Sequence, residues 1–278
     1  MKRAVALGTF DGMHRAHCKV LDLPKDYIKT AITFKKPPKM YAKDVADELI
    51  MDFSDKVAAL QAKGFSQIEA MDFEKVKSIS PQEFLDYITE NFKPSLISCG
   101  FNYRFGKDGA GDTEFLRSYC EQNGIECRVC NEVRSGGQTI SSTLIRNMLK
   151  NGEIERANSL MFRPFSFSAT VKKGDARGRT IGFPTVNQDY PENLVKIKFG
   201  VYKSTVTIGR KKYSAITNIG IRPTFETDHV ISETFIKRFK GDLYNTVVKV
   251  SLKEYLREEI KFASVENLRK QIELDLTK

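Results

Sequence analysis

The chain has 278 residues, 41% of them hydrophobic and 29% charged, with a formal net charge of +10. That balance excludes a disordered or fibrous polymer, and the length suits two domains of ordinary size. No apolar run approaches a membrane span, and the run from Ala4 to Leu7 is too short for a secretory leader, so a cytoplasmic protein without a membrane partner is expected.

The charge is uneven: residues 1–160 carry 23 Lys and Arg against 22 Asp and Glu, whereas residues 161–278 carry 22 against 13. A basic second half attracts anions, either nucleic acid or the phosphates of a nucleotide. The five cysteines include one CxxC, Cys127 and Cys130, with no second pair and no nearby histidine to complete a zinc site, so reduced thiols are expected.

In chain order, Ala4 to Leu7 reads as a short buried strand running into Gly8-Thr9-Phe10-Asp11-Gly12 and then His14-Arg15-Ala16-His17. A strand, a glycine turn and a helix start aim backbone N–H groups at a phosphate. His14 and His17, three apart, share one helix face and can reach one anionic group. Strands are expected at 30–34, 67–71 and 95–99, with helices at 44–63 (Val45, Leu49, Val57 and Leu60 at helical spacing) and 81–91, the latter capped by Ser80. This alternation implies a doubly wound parallel sheet, with its ligand at the carboxyl ends of the strands. Gly100-Phe101-Asn102-Tyr103-Arg104-Phe105-Gly106 interleaves aromatics with an arginine that could stack on a ring. Ser141, Ser142 and Thr143 open a helix with Arg146 one turn inside, a second anion site.

Beyond Arg163-Pro164 the texture becomes β. Strands at 165–171, 199–208, 211–220, 233–239 and 247–252 suggest a small closed barrel, with a terminal helix over 264–276 started by Ser264. Within it, Gly174 to Asn187 combines the glycines at 174, 178 and 182 with Arg177 and Arg179, and ends Phe-Pro-Thr-Val-Asn. Glycines let the backbone approach a ligand, and arginines fork onto phosphate oxygens. If the segment after Pro184 is extended, Thr185 and Asn187 project to one side, as ligands of Mg²⁺ carrying nucleotide phosphates would. A plain surface turn remains the alternative. Glu258 and Glu259 read as a solvated helix face.

GTFDGMHRAH followed by ISSTLIR resembles the adenylyltransferase half of bacterial bifunctional riboflavin kinase/FAD synthetases. GRTIGFPTVN, GVY, NIGIRPTF, Glu233 within SETF, GDLY and LREEIKF resemble the kinase half, in the same order. The resemblance covers nearly the whole chain. It implies an α/β doubly wound nucleotidyltransferase domain over 1–160 and a closed β-barrel kinase domain with a C-terminal helix over 161–278. It implies that ATP phosphorylates riboflavin to FMN, with Glu233 as general base and Thr185 and Asn187 holding Mg²⁺. Gly174, Arg179 and Gly182 would hold phosphates there. In the first half, FMN would be adenylylated to FAD, with His14 and His17 steadying the transition state and Gly8, Phe10, Asp11, Asn102, Ser142, Thr143 and Arg146 binding the nucleotide.

Three positions depart from the family. Ala16 stands where the family's HxGH has glycine, Lys36 precedes Pro37 where a Pro-His-Pro histidine is expected, and Asn245 follows Tyr244 where glycine is usual. The first two leave open a kinase whose first half is degenerate. A basic nucleic-acid binder without activity is the third reading, and no RNA-binding motif supports it.

Overall fold

The computed structural model describes residues 1–43, 45–174, 182–223, 228–260 and 262–277. They divide into two compact units, Met1–Ile145 with Leu160–Phe162, and Arg146–Ser159 with Arg163–Lys278.

The first unit is built on five parallel strands, β1 (Arg3–Leu7), β2 (Ile28–Phe34), β3 (Gln67–Met71), β4 (Leu96–Gly100) and β5 (Glu126–Cys130), ordered β3-β2-β1-β4-β5. Helices α1 (Arg15–Val20), α2 (Phe53–Ala62), α4 (Pro81–Phe92) and α5 (Thr113–Gln122) and the single turn α3 (Phe73–Val76) connect them. β1 is buried along nearly its whole length, as a central parallel strand covered on both faces must be. Two apolar clusters cover the sheet, one around Phe84, Leu85, Ile88 and Leu116, the other around Phe10, Leu21, Leu60 and Phe65. Strand order reverses direction at β1, so the crevice of this sheet opens where β1 and β4 end, at Gly8 and Gly100.

Local signals held for α4. Ser80 caps it, Glu83 returns the bond to the Ser80 backbone, and Pro81 occupies the first turn. The helix expected over 44–63 is shorter, because only Phe53–Ala62 is helical, capped by Asp52. The backbone N–H groups of Ile50 and Met51 donate to Asp11 Oδ1, at 3.0 and 3.4 Å, so a tertiary acceptor takes donors that a helix would need. Val45, expected on the apolar face, is 48% exposed.

The CxxC is split by strand alternation. Cys127 packs with Cys99 and Cys120 in one cluster and Cys130 in the other, so the pair cannot close on one metal or one disulfide. All five cysteines are free thiols.

After a small hairpin, β6 (Arg134–Ser135) and β7 (Gln138–Thr139), α6 (Ser142–Lys150) and α7 (Ile154–Leu160) lead to β8 (Ser166–Lys172), β9 (Thr185–Asp189), β10 (Gly200–Ile208), β11 (Lys211–Pro223), β12 (Asp228–Ile236) and β13 (Val247–Arg257). Among the described residues these six antiparallel strands close a barrel in the order β10-β11-β12-β9-β8-β13. Asn158 of α7 is tied to it, donating to Leu252 O and accepting from Phe165 N. The last helix, α8 (Val265–Thr277), starts at Ser264, whose Oγ accepts from Asn267 N at 3.2 Å. Arg257 at the end of β13 grips its buried Asp275, Nη2 to Oδ2 at 2.7 Å. Glu258 and Glu259 were expected on a helix face; β13 instead runs on to Arg257, and both follow it in irregular chain.

Candidate active sites

Each unit gathers part of one set of the expected residues, and Arg146, expected with the first set, belongs to the second unit. In the first, the turn after β1 is strained: Phe10, Gly12 and Met13 have φ of 50°, 79° and 37°. At Gly12 a side chain would also meet Ile50, so glycine is required twice over. Phe10 is fully buried, its ring edge-on to His17 with centroids 5.5 Å apart. Asp11 is fully buried as well, its carboxylate holding the 50–51 backbone and its carbonyl accepting from Ser142 Oγ at 2.8 Å. Ser142 is thereby tied to the turn from a distant point in the chain.

His14 caps α1 and its Nδ1 accepts from His17 N at 3.3 Å. An accepting Nδ1 puts the proton of the neutral ring on Nε2, a donor suited to a phosphate oxygen. The two imidazoles stack, centroids 3.6 Å apart and planes 17° off parallel. A cavity of about 330 Å³ is lined by Gly8, Phe10, His14, His17, Asn102 and Ser142 among others, and Ala16 also faces it. Asp11 and Thr143 are not in that lining, and Thr143 is exposed. Arg146 is 4% exposed. The Ala16 methyl therefore occupies cavity space that a glycine would leave free, on helical backbone that accepts a side chain without strain.

A larger cavity of about 610 Å³ adjoins the first, and Phe34, Pro38, Tyr103 and Arg104 line both. Its walls are largely apolar and include five aromatic rings, Phe73, Phe84 and Phe105 joining Phe34 and Tyr103.

Sequence reading missed Lys56. It is fully buried on α2, and its ammonium donates to Thr9 O and Phe34 O, each at 2.8 Å, tying the ends of β1 and β2 together beneath the turn. Burial holds its pKa down to about 8, opposed by the charge of Asp11. A lysine at an i+3 position of a helix gives no sequence signal of this. Lys56→Met removes a donor from Phe34 O and one of the two on Thr9 O, which keeps Thr33 Oγ1 at 3.0 Å, an expected loss of about 1–3 kcal/mol. Between about pH 8 and the ordinary lysine value the unfolded chain carries a proton that the folded chain has shed, so wild-type stability gains with rising pH. The methionine variant has no such proton. The stability gap between the two is therefore expected to be constant below pH 8 and to widen above it in denaturant titrations; a gap that narrows would refute this.

In the barrel, β9 and β12 pair with Asn187 opposite Glu233 and Thr185 opposite Phe235, so Thr185, Asn187 and Glu233 share the outward face. Phe183 packs edge-on against Phe235, centroids 5.2 Å apart. Asn187 Oδ1 is buried and has no hydrogen-bond partner among the described residues. At Gly174 a Cβ would run into the Asn187 amide, so only glycine lets the chain pass there. Gly182 is exposed with φ of 85°. Arg179, expected to bind phosphate, lies outside the described residues, as do Arg177 and Gly178. Asn245 has φ of 60°, the left-handed region that asparagine tolerates best after glycine, which explains the substitution there.

Asn218 is the second residue missed. It sits on β11 directly opposite Glu233, on the side away from Asn187. It lies in NIGIRPTF, but only the strand register brings it to Glu233.

Comparison with known proteins followed the same division. Residues 1–144 match the FAD synthetase family model and residues 161–278 the riboflavin kinase model. A Listeria monocytogenes protein described as bifunctional riboflavin kinase/FMN adenylyltransferase is 30% identical over 99% of this chain and 90% of its own. A Bacillus subtilis protein of the same description is 29% identical over the same shares. A crystal structure described as a macrolide-efflux protein from Streptococcus pneumoniae superposes with a TM-score of 0.91 at 29% identity, over 99% of this chain and 93% of that one. Among the described residues no helix is long and apolar enough to cross a membrane. The matches to both halves do not favour a kinase with a degenerate first half.

Proposed function

The chain belongs to the bifunctional riboflavin kinase/FMN adenylyltransferase family, and from that premise we propose how its residues carry out the two reactions. The enzyme makes FMN from riboflavin and FAD from FMN, with ATP as donor in both steps.

In the barrel, Glu233 takes the proton of the terminal ribityl hydroxyl. The hydroxyl oxygen bonds to the γ-phosphorus of ATP, the bond from that phosphorus to the β-phosphate oxygen breaks, and ADP leaves. Thr185 and Asn187 would hold Mg²⁺, which when bound would neutralise charge on the phosphates. Gly174, Arg179 and Gly182 bind those phosphates. The observation that supports this site is the Asn187 carbonyl oxygen, buried without a partner beside Glu233, an oxygen donor suited to a hard cation.

In the first unit an FMN phosphate oxygen attacks the α-phosphorus of ATP, and the bond to pyrophosphate breaks. The attacking group is already ionised, so no base is needed. His14 and His17 donate to oxygens on which charge builds, an electrostatic role. The ATP phosphates occupy the 330 Å³ cavity with Gly8, Asn102 and Ser142, and the flat flavin ring fits the aromatic 610 Å³ cavity that adjoins it. Asp11 acts by holding the turn in shape.

The test is the metal requirement of each step. Asn187→Leu is expected to raise the Mg²⁺ concentration needed for half-maximal FMN formation by about tenfold or more, the loss of one favourable oxygen ligand. FAD formation from supplied FMN should keep its own requirement. An unchanged requirement for FMN formation would reject the metal site.

A further inference from the structure

Asn187 is one of two amides beside Glu233 whose oxygens are buried without a partner. The other is Asn218, on the opposite neighbouring strand. Their common register with Glu233 places the three residues in one row across β9, β12 and β11, strands about 4.8 Å apart.

The Asn218 amide has a fixed orientation. Its Nδ2 donates to Glu259 Oε1 at 2.7 Å, and an ionised carboxylate has no proton to return, so the NH₂ faces Glu259 and the carbonyl oxygen is presented elsewhere. Glu259 in turn lies over Gly220, where any side chain would collide with its carboxylate. A glycine, a carboxylate and an amide are thus arranged to present one acceptor that nothing among the described residues satisfies. A buried acceptor left so is unfavourable, and a ligand's donor would satisfy it. The flavin substrate carries donors of this kind in series, the hydroxyls of its ribityl chain. The open Asn218 oxygen, one strand over from the catalytic carboxylate, matches one of those hydroxyls.

We propose that Asn218 is a specificity residue for the ribityl chain: its Oδ1 accepts from a hydroxyl further along the chain than the one Glu233 deprotonates. Glu259 is the positioning residue that holds the amide in that orientation. This rests on the reading of Glu233 as the kinase's base.

The test uses the full chain with riboflavin and its 2′-, 3′- and 4′-deoxy analogues. Wild type is expected to discriminate against one of the three by about tenfold or more in kcat/KM, because that analogue leaves the Asn218 oxygen unpaired. Asn218→Leu is expected to raise the riboflavin KM by about tenfold, to change kcat by less than about threefold, and to lose that discrimination. Half-saturation by ATP and Mg²⁺ should stay as in wild type. Glu259→Ala, which keeps the amide but releases it, should shift the riboflavin KM in the same direction by a smaller factor. Should Asn218→Leu fail to fold, Asn218→Ala carries the same readouts.

An unchanged riboflavin KM, retained discrimination, or a raised Mg²⁺ requirement overturns the proposal, the last by assigning Asn218 to the metal. Glu233→Gln separates the two levels. If it still makes FMN, the kinase-site reading fails. If it does not, while Asn218→Leu behaves as wild type, only the role of Asn218 falls.

Discussion

Glu233→Gln is expected to slow FMN formation by about 10²–10⁴-fold, the usual worth of a positioned general base, while leaving conversion of supplied FMN to FAD unchanged. The substitution keeps the size of the side chain but removes its charge and its ability to take a proton, and turns one acceptor oxygen into an NH₂ donor. Glu233 lies on β12 between β9 and β11, so the barrel should hold glutamine in the same place. The measurement is chromatographic separation of riboflavin, FMN and FAD after incubation with ATP and Mg²⁺, from each starting flavin. Loss of both activities in a folded variant would count against two separate sites, and undiminished FMN formation would remove Glu233 from the mechanism.

His17→Ala is expected to do the reverse, lowering FAD formation by about 10²–10³-fold, the loss seen when one donor to a developing charge is removed. FMN should then accumulate from riboflavin at the wild-type rate. His17 is a cleaner probe than His14, because His14 also caps α1 and its removal would disturb the helix start itself. His17 stacks on His14 and meets the edge of Phe10, so its loss opens space beside the cavity. Unchanged FAD formation in this variant would take the histidine pair out of adenylyl transfer. That result would also leave the Ala16 methyl, which faces the same cavity, without consequence for the reaction.

Both assignments began as patterns in the chain, and the patterns that survived were those whose physics is local. Ser80 and Glu83 form their capping box within one turn, and Ser264 caps α8 in the same way. Pro184 followed by Thr-Val-Asn-Gln-Asp becomes β9, with Thr185 and Asn187 on one face as alternation requires. Helix 44–63 failed for the opposite reason. Its periodicity was real, but Asp11, far away in the chain, claims the backbone donors of Ile50 and Met51, and no local signal announces that. Lys56 looked like a surface lysine until folding enclosed it beneath the turn it supports.

The sequence by itself determined the two-part architecture, the glycine turn with its histidine pair, and the strand that carries Thr185 and Asn187. These rest on turn chemistry, capping and side-chain period, which act over a few residues. Only the tertiary structure decided that Asn187 and Asn218 flank Glu233, that Cys127 and Cys130 face opposite ways, and that Ser142 closes onto Asp11. Strand register and sheet order decide such pairings, and they are set by how distant segments bury their apolar faces together.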